Sequence, residues 1–245
     1  MNVSDPLQGE LTLDPPGRIA VIGAGPVGIE AALYGRYLGY EVDVYERGEI
    51  GQAWLAIQDD PLPMLPDRCL SPLAIAALRA HDGGLALPGD PTYPLTIKQW
   101  VSSGLLRLAS TDLLLDRVHT QSEVTALAVV ADEPAIAPET PQDNDEDEDS
   151  YIEGEVPPDY RLTIQLAEGT RAVDAEAVIV AIGTSSTDPI MGYERLEGSP
   201  YLFRVGHRSG GSAEQRLHEA WHEIVGIFAG LGGRAALDLY RPTRL

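Results

Sequence analysis

Three glycines near the start of the chain have the spacing GxGxxG, which is suited to binding phosphate. Where such a turn joins a strand to a helix, the first glycine permits a tight turn and the second lets a pyrophosphate approach the backbone. The third lets the helix pack against the strand. The helix start also presents free N–H groups and a partial positive charge to the phosphates. The residues predicted to form this turn are Gly23, Ala24, Gly25, Pro26, Val27 and Gly28.

An acidic residue follows at the distance expected for a ribose contact. Glu46 stands 18 residues after Gly28, at the end of the next predicted strand, and Arg47 follows it directly. A carboxylate in this position accepts hydrogen bonds from a ribose diol and repels a 2′-phosphate. Glu46 and Arg47 are therefore predicted to contact FAD or NAD, and NADP is disfavoured at this turn.

A second pattern that could do chemistry is HExxH, at residues 218–222. On a helix, His218 and His222 would share one face and could bind zinc, with Glu219 as general base. A catalytic zinc site needs a third protein ligand, and beyond Glu223, which directly follows His222, Asp238 is the only side-chain carboxylate in the rest of the chain. We therefore predict no metal site here, and a zinc hydrolase is kept only as an alternative.

The elements around the glycine turn occur in the order that the turn requires. Residues 18–22 form a short apolar run typical of a buried strand, residues 27–38 have helical spacing, and residues 41–45 alternate as a second strand. Further along, the pattern predicts helices at 72–81, 96–116 and 213–231, and strands at 118–130, 160–166, 177–182 and 200–205. We expect an α/β, Rossmann-like fold: a parallel sheet with helices on both faces and a small β-meander.

Composition excludes several classes of protein. The formal net charge is -21, so a nucleic acid or an anionic membrane would be repelled and neither is predicted as a partner. Cys69 is the single cysteine, which excludes an internal disulfide and a multi-cysteine zinc site. The first residues have no signal-peptide pattern, and no apolar run approaches the ~20 residues needed to span a bilayer. These features predict a cytoplasmic protein.

The domain organisation follows from where composition changes. Residues 1–16 are polar and end in two prolines, so we expect a flexible leader. Residues 131–158 are acidic and rich in proline, and such a segment buries too little apolar surface to offset the cost of ordering the chain. We expect one domain at residues 17–245 with a disordered acidic insertion at about 131–158.

The segment RIAVIGAGPVGIEAALYGRYLGYEVDVYERG resembles the amino-terminal FAD-binding segment of flavin-dependent oxidoreductases of the flavin monooxygenase and pyridine-nucleotide-disulfide oxidoreductase type. The resemblance implies that the turn binds the ADP half of FAD and that Glu46 binds the adenosine ribose. In the later segment PLTIKQWVSSGLLRLASTDLLLDRVHTQSEVTAL, it places Val124 at a backbone contact with adenine. In AEAVIVAIGTSS, it places Gly183 near the flavin.

Two departures from this family bear on function. The family's late Gly-Asp motif is matched only by YLFRVGH, where Gly206 fits but His207 replaces the aspartate that binds the flavin ribityl chain. A second GxGxxG, which would bind NAD(P)H, is not found. The resemblance therefore predicts an FAD-binding, oxidoreductase-like flavoprotein that lacks its own nicotinamide domain. The alternatives are a small NAD(H)-binding protein and a non-catalytic nucleotide-binding remnant; no catalytic residue, substrate, redox partner or oligomeric state is predicted.

Overall fold

The computed structural model describes residues 12–65, 68–81, 96–130, 159–183 and 190–241. The predicted acidic insertion and residues 1–11 of the predicted leader lie outside these ranges. Leu13 is buried, and its backbone N–H donates to the carbonyl oxygen of Leu231 at 2.8 Å. None of the described helices is both long and apolar enough to cross a membrane.

The described residues form strands and helices in mixed order. The strands are β1 (Arg18–Ile22), β2 (Glu41–Tyr45), β3 (Val118–His119), β4 (Glu123–Val129), β5 (Tyr160–Leu166), β6 (Gly169–Ala175), β7 (Ala177–Val180) and β8 (Leu202–Arg204). The helices are α1 (Pro26–Tyr37), α2 (Gln52–Leu55), α3 (Pro72–His81), α4 (Ile97–Trp100), α5 (Leu106–Ala109), α6 (Tyr193–Leu196) and α7 (Ala213–Leu231), with a π-helical turn at Val101–Leu105.

Five strands form a parallel sheet in the order β3-β2-β1-β7-β8. Counted along the chain, this is the 3-2-1-4-5 arrangement of a doubly wound sheet, whose strand order reverses between β1 and β7. β7 is buried along its whole length and β1 in all but its first residue, in keeping with their apolar sequences. The predicted α/β class and parallel sheet are confirmed.

Helix α1 packs against β1, β2 and β7, and α7 packs against α1. The two helices approach closely because Gly35 has no side chain: a Cβ atom there would lie 2.9 Å from Cζ of Phe228. Apolar side chains recur on one face of α7 at helical spacing, namely Leu217, Ala220, Trp221, Ile224, Phe228 and Leu231. This packing fixes α7 relative to α1, which itself lies against the sheet.

The remaining strands form the predicted β-meander, an antiparallel sheet in the order β4-β5-β6. Its register shifts between Val124 and Ala126, which marks a bulge. Several details differ from the sequence prediction. The strand predicted at 118–130 is two strands, β3 in the parallel sheet and β4 in the antiparallel sheet. Only a turn was predicted at Gly169, which instead begins β6, and the helix predicted at 96–116 ends at Ala109. The expected break near Gly104 is a π-helical turn that continues the helical path.

Candidate functional site

A cleft of about 550 Å³ opens beyond the carboxyl ends of β1 and β7, and it is called the main cleft below. Residues that follow β1 (Gly23) and β7 (Gly183) both line it. The crevice where strand order reverses is the usual ligand-binding place in open α/β sheets. The volume lies within the range of roughly 300–1,000 Å³ typical of small-molecule and cofactor sites.

The three glycines of the turn lack side chains for two different reasons. A Cβ atom on Gly23, whose φ is +104°, would lie 2.8 Å from the carbonyl oxygen of Ala181. On Gly28 it would lie 1.9 Å from the carbonyl oxygen of Gly23. Packing within the protein therefore explains both. A Cβ atom on Gly25 would meet no described atom within 4 Å, so packing within the described residues does not require a glycine there.

The first turn of α1 faces this open space. Gly25 is the N-cap, Pro26 occupies the first helical turn, and no acidic residue lies there. Among the described residues, no side chain caps the helix, and the first intrahelical bond is donated by Ile29 to the carbonyl oxygen of Gly25. The backbone N–H groups of Val27 and Gly28 precede that bond and have no carbonyl partner within the helix. The turn thus combines free donors with a partial positive charge, a combination that attracts anions.

Glu46 lines the cleft, and its carboxylate also bonds to the turn itself. One oxygen, Oε2, accepts from the backbone N–H of Ala24 at 2.8 Å, and Oε1 accepts from the N–H of Gly48 at 3.0 Å. Each oxygen keeps a lone pair for a further donor. Glu46 therefore holds the glycine turn against the end of β2 and keeps acceptors for further donors in the cleft. This structural role could not be read from the spacing.

The structure brings nearly all of the predicted cofactor residues together. The main cleft is lined by Gly23, Gly25, Pro26, Val27, Glu46, Arg47, Val124, Gly183 and Gly206. Ala24 and Gly28 do not line it: Ala24 is fully buried, and the Cα of Gly28 packs against the carbonyl of Gly23. The N–H of Ala24 is the donor to Glu46 described above.

The turn after β8 contains Gly206 and His207, the two residues compared above with a Gly-Asp motif. His207 is exposed and does not line the cleft, whereas Gly206, with φ of +65°, does. The N–H of Gly206 donates to Oε2 of Glu223 at 3.0 Å, and Nε of Arg208 lies 2.9 Å from Oε1 of the same carboxylate. Glu223 of α7 thus anchors the turn that follows β8.

Sequence reasoning missed several polar and aromatic residues of the cleft, namely Tyr45, Gln52, Trp100, Glu123 and Arg216. Trp54 also lines the cleft, and its ring meets that of Trp100 edge-on with centroids 5.1 Å apart. Trp100 and Arg216 belong to helices that are far apart in the sequence, so only the folded structure shows that both side chains reach the cleft.

Tyr45 has a perturbed hydroxyl at the Glu46 end of the cleft. Burial and the nearby charge of Asp43 raise its pKa to about 12, and the charge of Arg171 opposes the shift. Its ring stacks on that of His119, with centroids 5.2 Å apart. The raised pKa keeps the Tyr45 hydroxyl protonated to a higher pH than that of an exposed tyrosine.

The HExxH residues do not converge on a common point with a third ligand. The His218 ring packs on Trp221, and Oε1 of Glu219 accepts from Nε2 of Gln215 at 2.8 Å. His222 is exposed. Across the parts of the chain that the structure describes, no three His, Cys, Asp or Glu side chains are placed to hold a metal ion.

Scanned against models of protein families and against curated proteins, the chain matches none. Among solved structures it is similar to S-allyl-L-cysteine S-oxygenase from Allium sativum, with 16% identity and a TM-score of 0.41 over 68% of this chain. It is also similar to FAD-bound OTEMO, with 18% identity and a TM-score of 0.45 over 71% of this chain. A third similar structure is an oxidized steroid monooxygenase bound to NADP, with 17% identity and a TM-score of 0.45 over 71% of this chain. These matches cover 36%, 27% and 28% of the three longer chains. The assignment of function therefore rests on the cleft itself.

Proposed function

We propose that this protein binds FAD in the main cleft and is an oxidoreductase-like flavoprotein. The observation that carries the proposal is Gly25. Its Cβ position is open, it lies at the uncapped start of α1, and it faces a cleft at the reversal point of a doubly wound sheet. A pyrophosphate requires such an open approach to the backbone, and no packing within the described residues requires it.

The other cleft residues fit the parts of the cofactor. Glu46 has free lone pairs for the adenosine ribose, and Val124, beside the bulge of β4, borders the same cleft where the adenine would lie. Gly183 and Gly206 border the same cleft with positive φ angles, so backbone rather than side chain lines that part. Bound FAD would supply the redox chemistry, while these residues bind and orient it.

NAD(H) is the second candidate, because one observation suits it equally. The Glu46 carboxylate at the end of β2 is the group that a Rossmann turn uses for the NAD ribose, and its charge opposes a 2′-phosphate. FAD is preferred on the resemblance of residues 18–48 to FAD-binding segments. A protein that binds neither ligand would be a non-catalytic remnant of the fold.

The absorption spectrum of the purified protein, with released cofactor identified by mass, separates these cases. Retained FAD gives a band at about 450 nm, a property of the flavin. If the purified protein is colourless but its melting temperature rises when FAD is added, the proposal is also supported, with FAD as a ligand that exchanges. A rise with NADH and none with FAD would replace FAD by NAD(H). No band and no shift with either ligand would overturn the proposal.

A further inference from the structure

Arg216 lies in the main cleft and has no acidic partner among the described residues. It belongs to the start of α7 and lines the cleft together with Gly25 and Val27. The chain carries 38 acidic and 17 basic residues, so its overall charge does not attract an anionic ligand, and a cation in the cleft would have to do so locally. Carboxylates lie within 4.0 Å of the guanidinium groups of Arg18, Arg68, Arg117, Arg161, Arg208 and Arg241.

The guanidinium of Arg216 is held by neutral groups on one side only. Its NH1 donates to the carbonyl oxygens of Gly211 at 2.9 Å and Gly210 at 3.3 Å. The Nε and NH2 donors have no partner among the described residues. These two form the planar edge that binds phosphate with two parallel hydrogen bonds. The carbonyl contacts thus orient the side chain and leave its phosphate-binding edge free.

Packing brings the start of α7 to the same cleft as the start of α1. A Cβ atom on Gly206 would lie 3.2 Å from Cγ2 of Val27, so the turn after β8 lies directly against the first turn of α1. Glu223 fixes that turn to α7 through the N–H of Gly206. Arg216 and the free N–H groups of α1 therefore border one cleft from two helices.

We infer that Arg216 binds the diphosphate of the ligand and provides the positive charge that the α1 backbone alone lacks. This inference rests on the proposed function, because it requires a dinucleotide in the main cleft. A diphosphate carries two negative charges, and a helix N-terminus offers roughly half a positive charge. Two carboxylates, Glu46 and Glu123, and one other cation, Arg47, also line the cleft, so without Arg216 the formal charges of its lining would sum to -1.

The test is to titrate ADP and adenosine into wild-type protein, Arg216→Gln and Arg216→Lys at two salt concentrations. Arg216→Gln should bind ADP about 10- to 100-fold more weakly, the loss expected for a hydrogen-bonded charge. Its adenosine affinity should stay within a factor of two or so, since adenosine has no phosphate. Arg216→Lys keeps the charge without the planar edge, so its affinity for ADP should lie between those of wild type and Arg216→Gln.

Arg195→Gln is the matched control, because Arg195 is an exposed residue of α6 outside the cleft and its loss changes the net charge equally. If wild type binds ADP and Arg216→Gln binds it equally well, or no worse than Arg195→Gln does, the inference about Arg216 fails alone. An equal loss of adenosine and ADP affinity in Arg216→Gln would indicate a structural role and would also overturn it. If wild type binds neither ADP nor FAD, the proposed function fails and this inference fails with it.

Discussion

Glu30 is a carboxyl group inside the protein, and replacing it should change how stability depends on pH. It lies on α1 and is only 3% exposed. The Ser71 hydroxyl donates to its Oε1 at 2.6 Å, and the Tyr240 hydroxyl also interacts with the carboxyl. Burial raises the pKa of Glu30 from 4.5 to about 7, although both hydroxyls lower it in part. Burial therefore dominates over the hydrogen bond from Ser71 and the influence of the Tyr240 hydroxyl.

The sign and size of the effect follow from this pKa. A raised pKa means that the folded state binds the proton more tightly than the unfolded state, so the contribution to stability is fully present below pH 4.5. It is lost as the pH rises from about 4.5 to about 7. The difference between the two pKa values corresponds to about 3 kcal/mol of unfolding free energy, at 1.36 kcal/mol per pH unit.

Glu30→Gln removes the ionisable group while keeping an oxygen acceptor for Ser71. We expect the variant to gain about 2–3 kcal/mol of unfolding free energy relative to wild type between pH 5 and pH 8. Urea unfolding followed by circular dichroism at pH 5, 6, 7 and 8 measures this difference. The exposed Glu41→Gln controls for the loss of one negative charge, and its difference from wild type should change little over this range.

The reasoning is wrong if the difference in unfolding free energy between wild type and Glu30→Gln stays constant from pH 5 to pH 8. Parallel curves would mean that Glu30 reaches solvent in the folded protein and titrates as an ordinary carboxyl group. A curve for Glu41→Gln that matches Glu30→Gln would assign the effect to net charge instead.

Two further predictions concern the glycine turn in the absence of ligand. Gly28→Ala should lower the unfolding free energy by about 1–3 kcal/mol because its Cβ would press on the Gly23 carbonyl, whereas Gly25→Ala should cost less than about 1 kcal/mol. If urea unfolding showed the same loss of unfolding free energy for Gly28→Ala and Gly25→Ala, the distinction between the two glycines would be contradicted. Glu46→Ala should cost about 1–3 kcal/mol by leaving the Ala24 N–H without its acceptor, and unchanged stability would show that the carboxylate does not hold the turn.

The glycine turn, β1, α1, β2 and Glu46 could be predicted because their signals are local in the sequence. Short apolar runs, a glycine spacing and one carboxylate at a strand end suffice for that unit. Strand β6 was missed because most of its residues are exposed and few are apolar, so no alternation marks it. Its pairing with β5, which lies next to it, defines it instead.

Contacts between distant segments account for the parts of the site that the sequence did not predict. Arg216 lines the cleft from α7, which packs closely on α1 at Gly35, and the turn at Gly206, which contacts Val27, borders the same cleft. The bonds from Glu46 to the turn depend likewise on the parallel register of β1 and β2. Neither the place of Arg216 in the cleft nor the bonds of Glu46 to the turn can be predicted from the periodicity or composition of the sequence.

The most direct test of the FAD proposal is calorimetric titration of FAD into ligand-free wild type and Gly25→Val, with urea unfolding of both proteins. The open Cβ position of Gly25 predicts that wild type binds FAD and that Gly25→Val does not, while the unfolding free energies of the two ligand-free proteins differ by less than about 1 kcal/mol. FAD binding by Gly25→Val with wild-type affinity would contradict the account.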